Sequence, residues 1–382
     1  MEDNAFRTDA GEQQNVVGLG FCGPSAGSNT SVAEAKDGKL IRLRPLHFDW
    51  KSQRFMSRRR PDAKGIVLRS IVVYFSQTGN TEKVAQSIQA GIAQATGQCD
   101  RAEIRDALPL RLREYDLIGV GSPVIGHCPA NVLEFVSRIQ FVGGKHAFAF
   151  CTHGTGHKRF YPSLYPVLTG RGLTVLGFAD WYGDCYLLHM PQPYPTAGHP
   201  DPRDLEQAEK FGRDMALRSM RVAAGETDLV PPAPPELAPM GPPSGAGKAP
   251  KGMVHPFSSM LQFDKEKCLF PACTLCMDHC PTFGIDLSLD PPMIAKPCID
   301  CEFCARLCPT GALDMLPWLE SMEEMTIGFM PAMLESLERA EAEGQFRRLI
   351  PISEIDTTHT GYRHFTAHPQ WIPGKGAHSE EQ

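Results

Sequence analysis

Eight cysteines fall into two short runs. CLFPACTLCMDHCP, residues 268 to 281, puts four thiols into thirteen positions, and CIDCEFCARLCP follows at 298 to 309. Cys273, Cys276 and Cys280 recur after a common interval of 28 as Cys301, Cys304 and Cys308, whereas Cys268 and Cys298 are 30 apart. The runs are therefore an internal repeat whose first copy has two extra residues in its first loop. Thiolates so spaced are ligands for a soft metal. Each run ends C-x2-C-x3-C-P, a spacing used for iron–sulfur clusters: the tight pairs let successive sulfurs reach one cubane, and the proline turns the chain away after the last ligand. Zinc sites also use C-x2-C pairs, but usually further apart and without the x3-C-P ending. Disulfides fit worse, since such close cysteines in a large chain do not look like a secreted framework.

A second constellation lies far upstream. IVLRSIVVYF, residues 66–75, contains a wholly apolar run that suits a strand buried on both faces. SQTGNT follows, and then EKVAQSIQAGIAQA, in which Val84, Ile88 and Ile92 recur at helical spacing. Ser76, Gln77, Thr78, Gly79, Asn80 and Thr81 thus join a buried strand to a helix start. A phosphate there meets free backbone N–H groups, the positive end of the helix dipole and three hydroxyls, and Gly79 permits close approach of the backbone.

These groups need elements to hold them. The 382 residues, net charge of −6 and 42% hydrophobic content allow two domains with a real core. Mild acidity argues against nucleic-acid binding. No stretch approaches the roughly 20 apolar residues of a membrane helix, so no membrane span is expected. The polar, acidic start MEDNAFRTDAGEQQ carries no visible secretory signal. Thirteen cysteines fit a reducing cytoplasm, and Cys22, Cys99, Cys128, Cys151 and Cys185 read as ordinary thiols. Further strands are predicted at RAEIRD, DLIGVGSP, HAFAFCTH and LTVLGFADW, with helices at about 129–140, 160–170 and 201–221. The alternation is that of a doubly wound α/β domain over 66–225. Residues 226–256 are a Pro/Gly/Ala-rich linker that cannot pack a core. The cysteine domain occupies 257–316, an N-terminal arm 1–65, and a partly helical tail 317–382, with a helix predicted at 332–345.

Three resemblances follow. The cysteine runs resemble bacterial two-cluster ferredoxins over about 60 residues, a small α+β fold. That likeness implies that the fourth cysteine crosses over: Cys268, Cys273, Cys276 and Cys308 would hold one [4Fe–4S] cluster, and Cys298, Cys301, Cys304 and Cys280 the other. The SQTGNT loop resembles that of flavodoxins, which grips the phosphate of FMN. Over about 150 residues the likeness implies a flavodoxin-like doubly wound parallel sheet, with the ligand beyond the C-terminal ends of the strands. Two more loops would then face the flavin ring: Ser122 to Ala130, chiefly Ser122, Pro123, Val124, Ile125 and Gly126, and the loop of Thr152, His153, Gly154, Thr155 and Gly156. Flavodoxins usually stack an aromatic residue there, and Ile125 stands in the corresponding place. His127, His153, Trp181 and Tyr182 are the stand-ins. Domain order and both motifs together are most similar to flavodoxin–ferredoxin fusion proteins, which implies electron transfer.

Weaker signals weigh less. GLGFCG, residues 18–23, matches a dinucleotide pattern, but no long strand is expected before it and PSAGSNTS after it cannot open a helix. Residues 32–45 read as a hairpin turning on Asp37-Gly38. With FCGPSAGSNT, that hairpin resembles the N-terminal segment of molybdopterin oxidoreductases, which makes a molybdopterin-type enzyme one conceivable partner. The basic run RFMSRRRPDAK is a solvated connector or steers an acidic partner. The tail methionines Met315, Met322, Met325, Met330 and Met333 fill core gaps or suit an adaptable surface, and His359, His364 and His368 are too irregular for a metal site.

Three functions remain open at this point. An electron carrier would relay between FMN, two clusters and a larger redox partner, with the long terminal extensions wrapping that partner. A flavin-dependent reductase would need a proton donor, with His127 and His153 as candidates. An assembly subunit would keep the fold without flavin.

Overall fold

The computed structural model describes residues 68–235, 261–294 and 298–361, together with the backbone of four strands within residues 6–45. The chain divides into two units, Met1–Ile66 and Val67–Gln382.

The first unit is an antiparallel sheet of β1 (Phe6–Arg7), β2 (Gln13–Leu19), β3 (Asn29–Lys36) and β4 (Lys39–Pro45), in that order. β3 and β4 form the expected hairpin, with Lys36 opposite Lys39. The turn residues Asp37 and Gly38 lie outside the described residues. A lone hairpin was too little: β1 and β2 extend it to four strands, and β2 supplies the strand that the sequence reading denied to GLGFCG. That strand pairs antiparallel with β3, and no helix among the described residues follows it. The strand–turn–helix context of a dinucleotide site is therefore still missing, for a different reason from the one expected.

The second unit opens with five parallel strands: β5 (Ser70–Tyr74), β6 (Asp100–Glu103), β7 (Leu117–Pro123), β8 (His146–His153) and β9 (Thr174–Tyr182), in sheet order β6-β5-β7-β8-β9. The strands predicted at DLIGVGSP, HAFAFCTH and LTVLGFADW match β7, β8 and β9 within one residue, and RAEIRD, residues 101–106, runs three residues past the end of β6. β5 and β8 are buried along their whole length, which is why they read as apolar runs rather than alternating ones. Helices α1 (Asn80–Thr96) and α4 (Pro202–Ala223) cover one face, packing Val84, Ile88 and Met215 on Val72, Phe148 and Phe150. Helices α2 (Ala130–Ser137) and α3 (Phe160–Gly170) cover the other with Val132, Val136, Leu164 and Leu168 on Val73, Val120 and Ala149. α1 and α4 meet backbone to backbone: a Cβ on Gly91 would sit 1.8 Å from the Glu209 carbonyl oxygen, and one on Gly212 would sit 2.2 Å from that of Ile88. Strand order reverses between β5 and β7, so the loops after these strands open onto one crevice, the usual ligand position in such sheets.

The cysteine module is built on little regular structure. β10 (Gln262–Phe263) pairs antiparallel with β11 (Leu313–Asp314), and two short helices, α5 (Leu275–Asp278) and α6 (Phe303–Leu307), carry cysteines between them. α7 (Leu316–Ala342) follows β11 directly. The predicted tail helix at 332–345 is thus the second half of a longer helix, whose first turns are held by Met315 and Leu319 packing with Leu188 and Ala305. Residues 344–361 then return to the α/β domain. Phe346, 5% exposed, lies 4.7 Å from the Tyr182 ring and 5.5 Å from that of His199. Arg347 ion-pairs with Asp201, and the Gly361 amide donates to Met190 at 2.6 Å. This part of the tail packs on its own chain. Residues 236–260 and 362–382 lie outside the described residues. None of the described helices is long and apolar enough to cross a membrane.

Candidate functional site

The cysteines divide into two quartets. Cys280, Cys298, Cys301 and Cys304 line one cavity with Ile285, Ile299 and Phe303. Cys268, Cys273, Cys276 and Cys308 line another with Phe263, Leu287 and Leu313. Each quartet takes three cysteines from one run and one from the other, because α5 and α6 pack against each other. Burial drives the thiols up, Cys276 to about 11 with Cys308, Cys268 and Cys273 adding to it, Cys298 to about 11 and Cys301 to about 12. Thiols held like this ionise when a bound cation draws the charge out. The backbone amides of Phe270, Gly284, Asp300 and Leu313 donate to the sulfurs of Cys268, Cys280, Cys298 and Cys308 at 3.5, 3.2, 3.4 and 3.4 Å.

Among the described residues no three cysteine sulfurs lie within 4.8 Å of one another. A single tetrahedral zinc, with Zn–S near 2.3 Å, would draw its sulfurs to about 3.8 Å apart. The quartets are therefore splayed wider than one ion requires. The group that does converge that closely, His199, Asp201 and Asp204, is already satisfied. His199 Nδ1 pairs with Asp204, its Nε2 with the Arg347 carbonyl at 2.8 Å, and the Arg347 guanidinium with both carboxylates. It anchors the returning tail.

The three loops expected at a flavin meet in one crevice. Ser76, Gln77, Thr78, Asn80 and Thr81 share a cavity with Pro123, Val124 and Ile125 and with Thr152, His153 and Gly154. Gly79 lines the wider cleft beside it. Ser122, Gly126, Thr155 and Gly156 line neither; Ser122 is fully buried, with its hydroxyl on the Pro123 carbonyl. Gly79 caps α1 at φ 90°, a left-handed conformation that favours glycine, and a Cβ there would meet nothing within 4 Å. No side chain caps α1 in the standard way, although Ser76 Oγ accepts from the Glu82 amide at 3.3 Å. Two of the loop's polar groups face inward: Thr81 Oγ1 bonds Thr152 Oγ1 at 2.7 Å, and Asn80 Nδ2 donates to the Asp184 carbonyl at 3.0 Å. They tie the loops to one another, which leaves Thr78 as the loop's threonine not so engaged.

Several buried polar atoms on these walls have no partner: His153 Nδ1 and Asp184 Oδ1 around the inner cavity, and both ends of the Asn131 amide at the wider cleft, while the Gln77 side chain bonds toward the Cys301 sulfur. A polar ligand in the crevice would satisfy them, so the residues present fit a flavin nucleotide. His153 is held from behind, with Nε2 2.8 Å from Asp180 Oδ2. Burial pushes the Asp180 carboxyl up, but the hydrogen bond and charge of His153 outweigh it and hold it below the usual range. Of the expected aromatic stand-ins, Trp181 is buried against Phe211 in the core, and Tyr182 packs on His153 and Phe346. His127 is exposed, with Nδ1 on the Cys128 carbonyl.

Among the inner-wall residues that sequence reasoning did not place there are Asp184, Tyr186, Cys301, Phe303 and Arg306. The first two follow β9, whose C-terminal end must also face the crevice, and that signal was available. The others come from the cysteine module, which docks here. Ile299, between two cysteines, is 8% exposed and belongs to the apolar core of the α/β domain. Arg105 donates to the Asp278 carbonyl at 2.8 Å. Glu302, 4% exposed and left-handed at φ 56°, accepts from the Leu188 amide and pairs with His189 Nδ1. Arg306 donates to the Tyr186 carbonyl and lies 5.0 Å above its ring.

Comparison with known proteins places a flavodoxin domain over residues 71–160. No curated protein matches the chain. Among solved structures, a flavodoxin from the domain Archaea is 22% identical, covering 40% of this chain and 99% of that one, with a TM-score of 0.32. A two-electron reduced flavodoxin from Megasphaera elsdenii is 22% identical over 39% of this chain and 98% of that one, with a TM-score of 0.32. A flavodiiron core from Synechocystis is 18% identical over 46% and 40%, with a TM-score of 0.32. The chain thus contains a flavodoxin-like domain, and the domain match says nothing of the cysteine module.

Proposed function

We propose that this chain carries electrons between a flavin mononucleotide in the crevice after β5 and two [4Fe–4S] clusters in the cysteine cavities, and between those and a larger redox partner. One observation carries the reading: the crevice built by the three loops shares its wall, through Cys301 and Phe303, with one cysteine cavity. Two redox groups seated there would be neighbours.

The residues fit the groups in chemical terms. The open start of α1, with Ser76 and Thr78, suits a phosphate. The splayed quartets with amide donors to sulfur suit four-iron clusters, whose potentials depend on such bonds and on burial. Bound flavin exchanges one or two electrons, and each cluster exchanges one. The chain's own residues bind, orient and exclude water. Thr81 and Thr152 lock two crevice loops together, Phe303 and Ile299 close the cysteine cavity, and His153 presents its unpartnered Nδ1 at the crevice wall. No partner is identified by these features, and a molybdopterin-type enzyme remains only a resemblance of the N-terminal arm.

The His153–Asp180 pair favours a second reading, a flavin-dependent reductase in which Nδ1 delivers a proton to a small substrate. His127, the other candidate donor, is turned out of the crevice. Anaerobic purification followed by metal, sulfide and flavin analysis tests the main reading. About eight iron and about eight sulfide per chain, with one FMN, are expected. Stoichiometric zinc without iron would remove the clusters, and absence of flavin would favour an assembly subunit.

A further inference from the structure

The loops after β5, β7 and β8 bring no phenylalanine, tyrosine or tryptophan to the inner cavity. Its wall nevertheless carries two such rings, Tyr186 after β9 and Phe303 at the start of α6. Arg306 lies over the Tyr186 ring at 5.0 Å. Phe303 is 6% exposed, so its ring is spent on the interior, and it lines both the crevice and the cavity of Cys280, Cys298, Cys301 and Cys304. It is also fixed in place. Glu302, immediately before it, is anchored on Leu188 and His189, and Ile299 plugs the α/β core.

We propose that Phe303 is a flavin-binding residue: the cysteine module supplies, within the same chain, an aromatic wall that the loops after β5, β7 and β8 lack. The inference rests on the flavin reading above. A flat aromatic ligand in the crevice finds in Phe303 an apolar ring held by its neighbours, and ring–ring contact adds to the area it buries. Flavin affinity then depends on the cysteine module being folded and docked, unlike that of a site made from a flavodoxin domain's loops alone.

The test is the dissociation constant of FMN, read by quenching of its fluorescence on adding it to flavin-stripped, iron-replete full-length chain under argon. Phe303→Leu should bind FMN roughly tenfold more weakly, and Phe303→Tyr should bind like wild type. Phe283→Leu is the control: Phe283 is 63% exposed and lines only the outer cleft, so no change is expected. Iron is counted in each preparation. Phe303→Met, which keeps the bulk and loses the ring, gives the same reading should the leucine variant shed iron. Wild-type affinity in either iron-replete variant overturns the assignment. If wild type itself binds no FMN, the flavin reading falls and takes this inference with it.

Discussion

Docking of the cysteine module hangs on one buried carboxylate, and its removal has a magnitude that can be worked out. Glu302 is 4% exposed, accepts from the Leu188 amide and pairs with His189 Nδ1. Glu302→Ala leaves that amide and the imidazole without their partner in a dry contact. Breaking such a pair costs about 3–5 kcal/mol, roughly a hundredfold or more in the docked population. The backbone adds a second term. Glu302 sits at φ 56°, where an L side chain costs about 1–2 kcal/mol that glycine avoids. Glu302→Gly should therefore be milder than Glu302→Ala by about that amount, although it removes more atoms. Glu302→Gln keeps an acceptor for Leu188 and should be the mildest. Native-state hydrogen exchange of the amides that the docked module covers, other than that of Leu188 itself, is the assay, because the Leu188 proton loses its acceptor in the variants whether or not the module is docked. Exchange should quicken in the order Gln, Gly, Ala. Alanine exchanging within about twofold of wild type, or more slowly than glycine, would refute the reasoning.

Further outcomes follow from single sites. Gly79→Val forces a β-branched residue to φ 90° at the head of α1 and should abolish FMN binding while leaving iron unchanged, checked by flavin titration and iron analysis. Gly91→Ala drives a Cβ to 1.8 Å from the Glu209 carbonyl and should cost about 1–3 kcal/mol, read as a lower urea midpoint at constant slope. The Asp180 carboxyl is held below its ordinary range in the folded chain. Its contribution to stability is therefore present above about pH 4 and lost as pH falls through its lower folded value. The stability gap between wild type and Asp180→Asn should be full at neutral pH and close in strong acid, and a gap that widens on acidification would contradict the assignment.

Much of this was legible from residues alone, for physical reasons. β8 reads HAFAFCTH because both its faces are covered, and the predicted strand and the observed one coincide at residues 146–153. The 28-residue repeat set the cysteines apart because ligand spacing is local. What could not be read was contact over long sequence distances. Ile299 looks like an ordinary residue in a metal loop, yet it completes a core some 200 positions upstream. Glu302 and Phe303 look like spacers between Cys301 and Cys304, yet one anchors the module and the other faces the crevice. Thr81 lines the crevice and also bonds Thr152, a partner 71 residues away. The return of the tail to residue 361 could not be read because its periodicity is sparse. Its hold on Asp201 and Tyr182 depends on single residues, Arg347 and Phe346, rather than on a pattern.

Electron carriage itself is tested most directly by counting electrons. The anaerobically purified full-length chain is titrated with a reductant of known strength, and uptake is followed in the optical spectrum until no further change occurs. A flavin that takes two electrons and two clusters that take one each give about four electrons per chain. Uptake of about four, returned in full to an added oxidant without consumption of any organic substrate, is the expected result. Uptake of none, or of flavin's two alone in a chain saturated with iron, would contradict the relay.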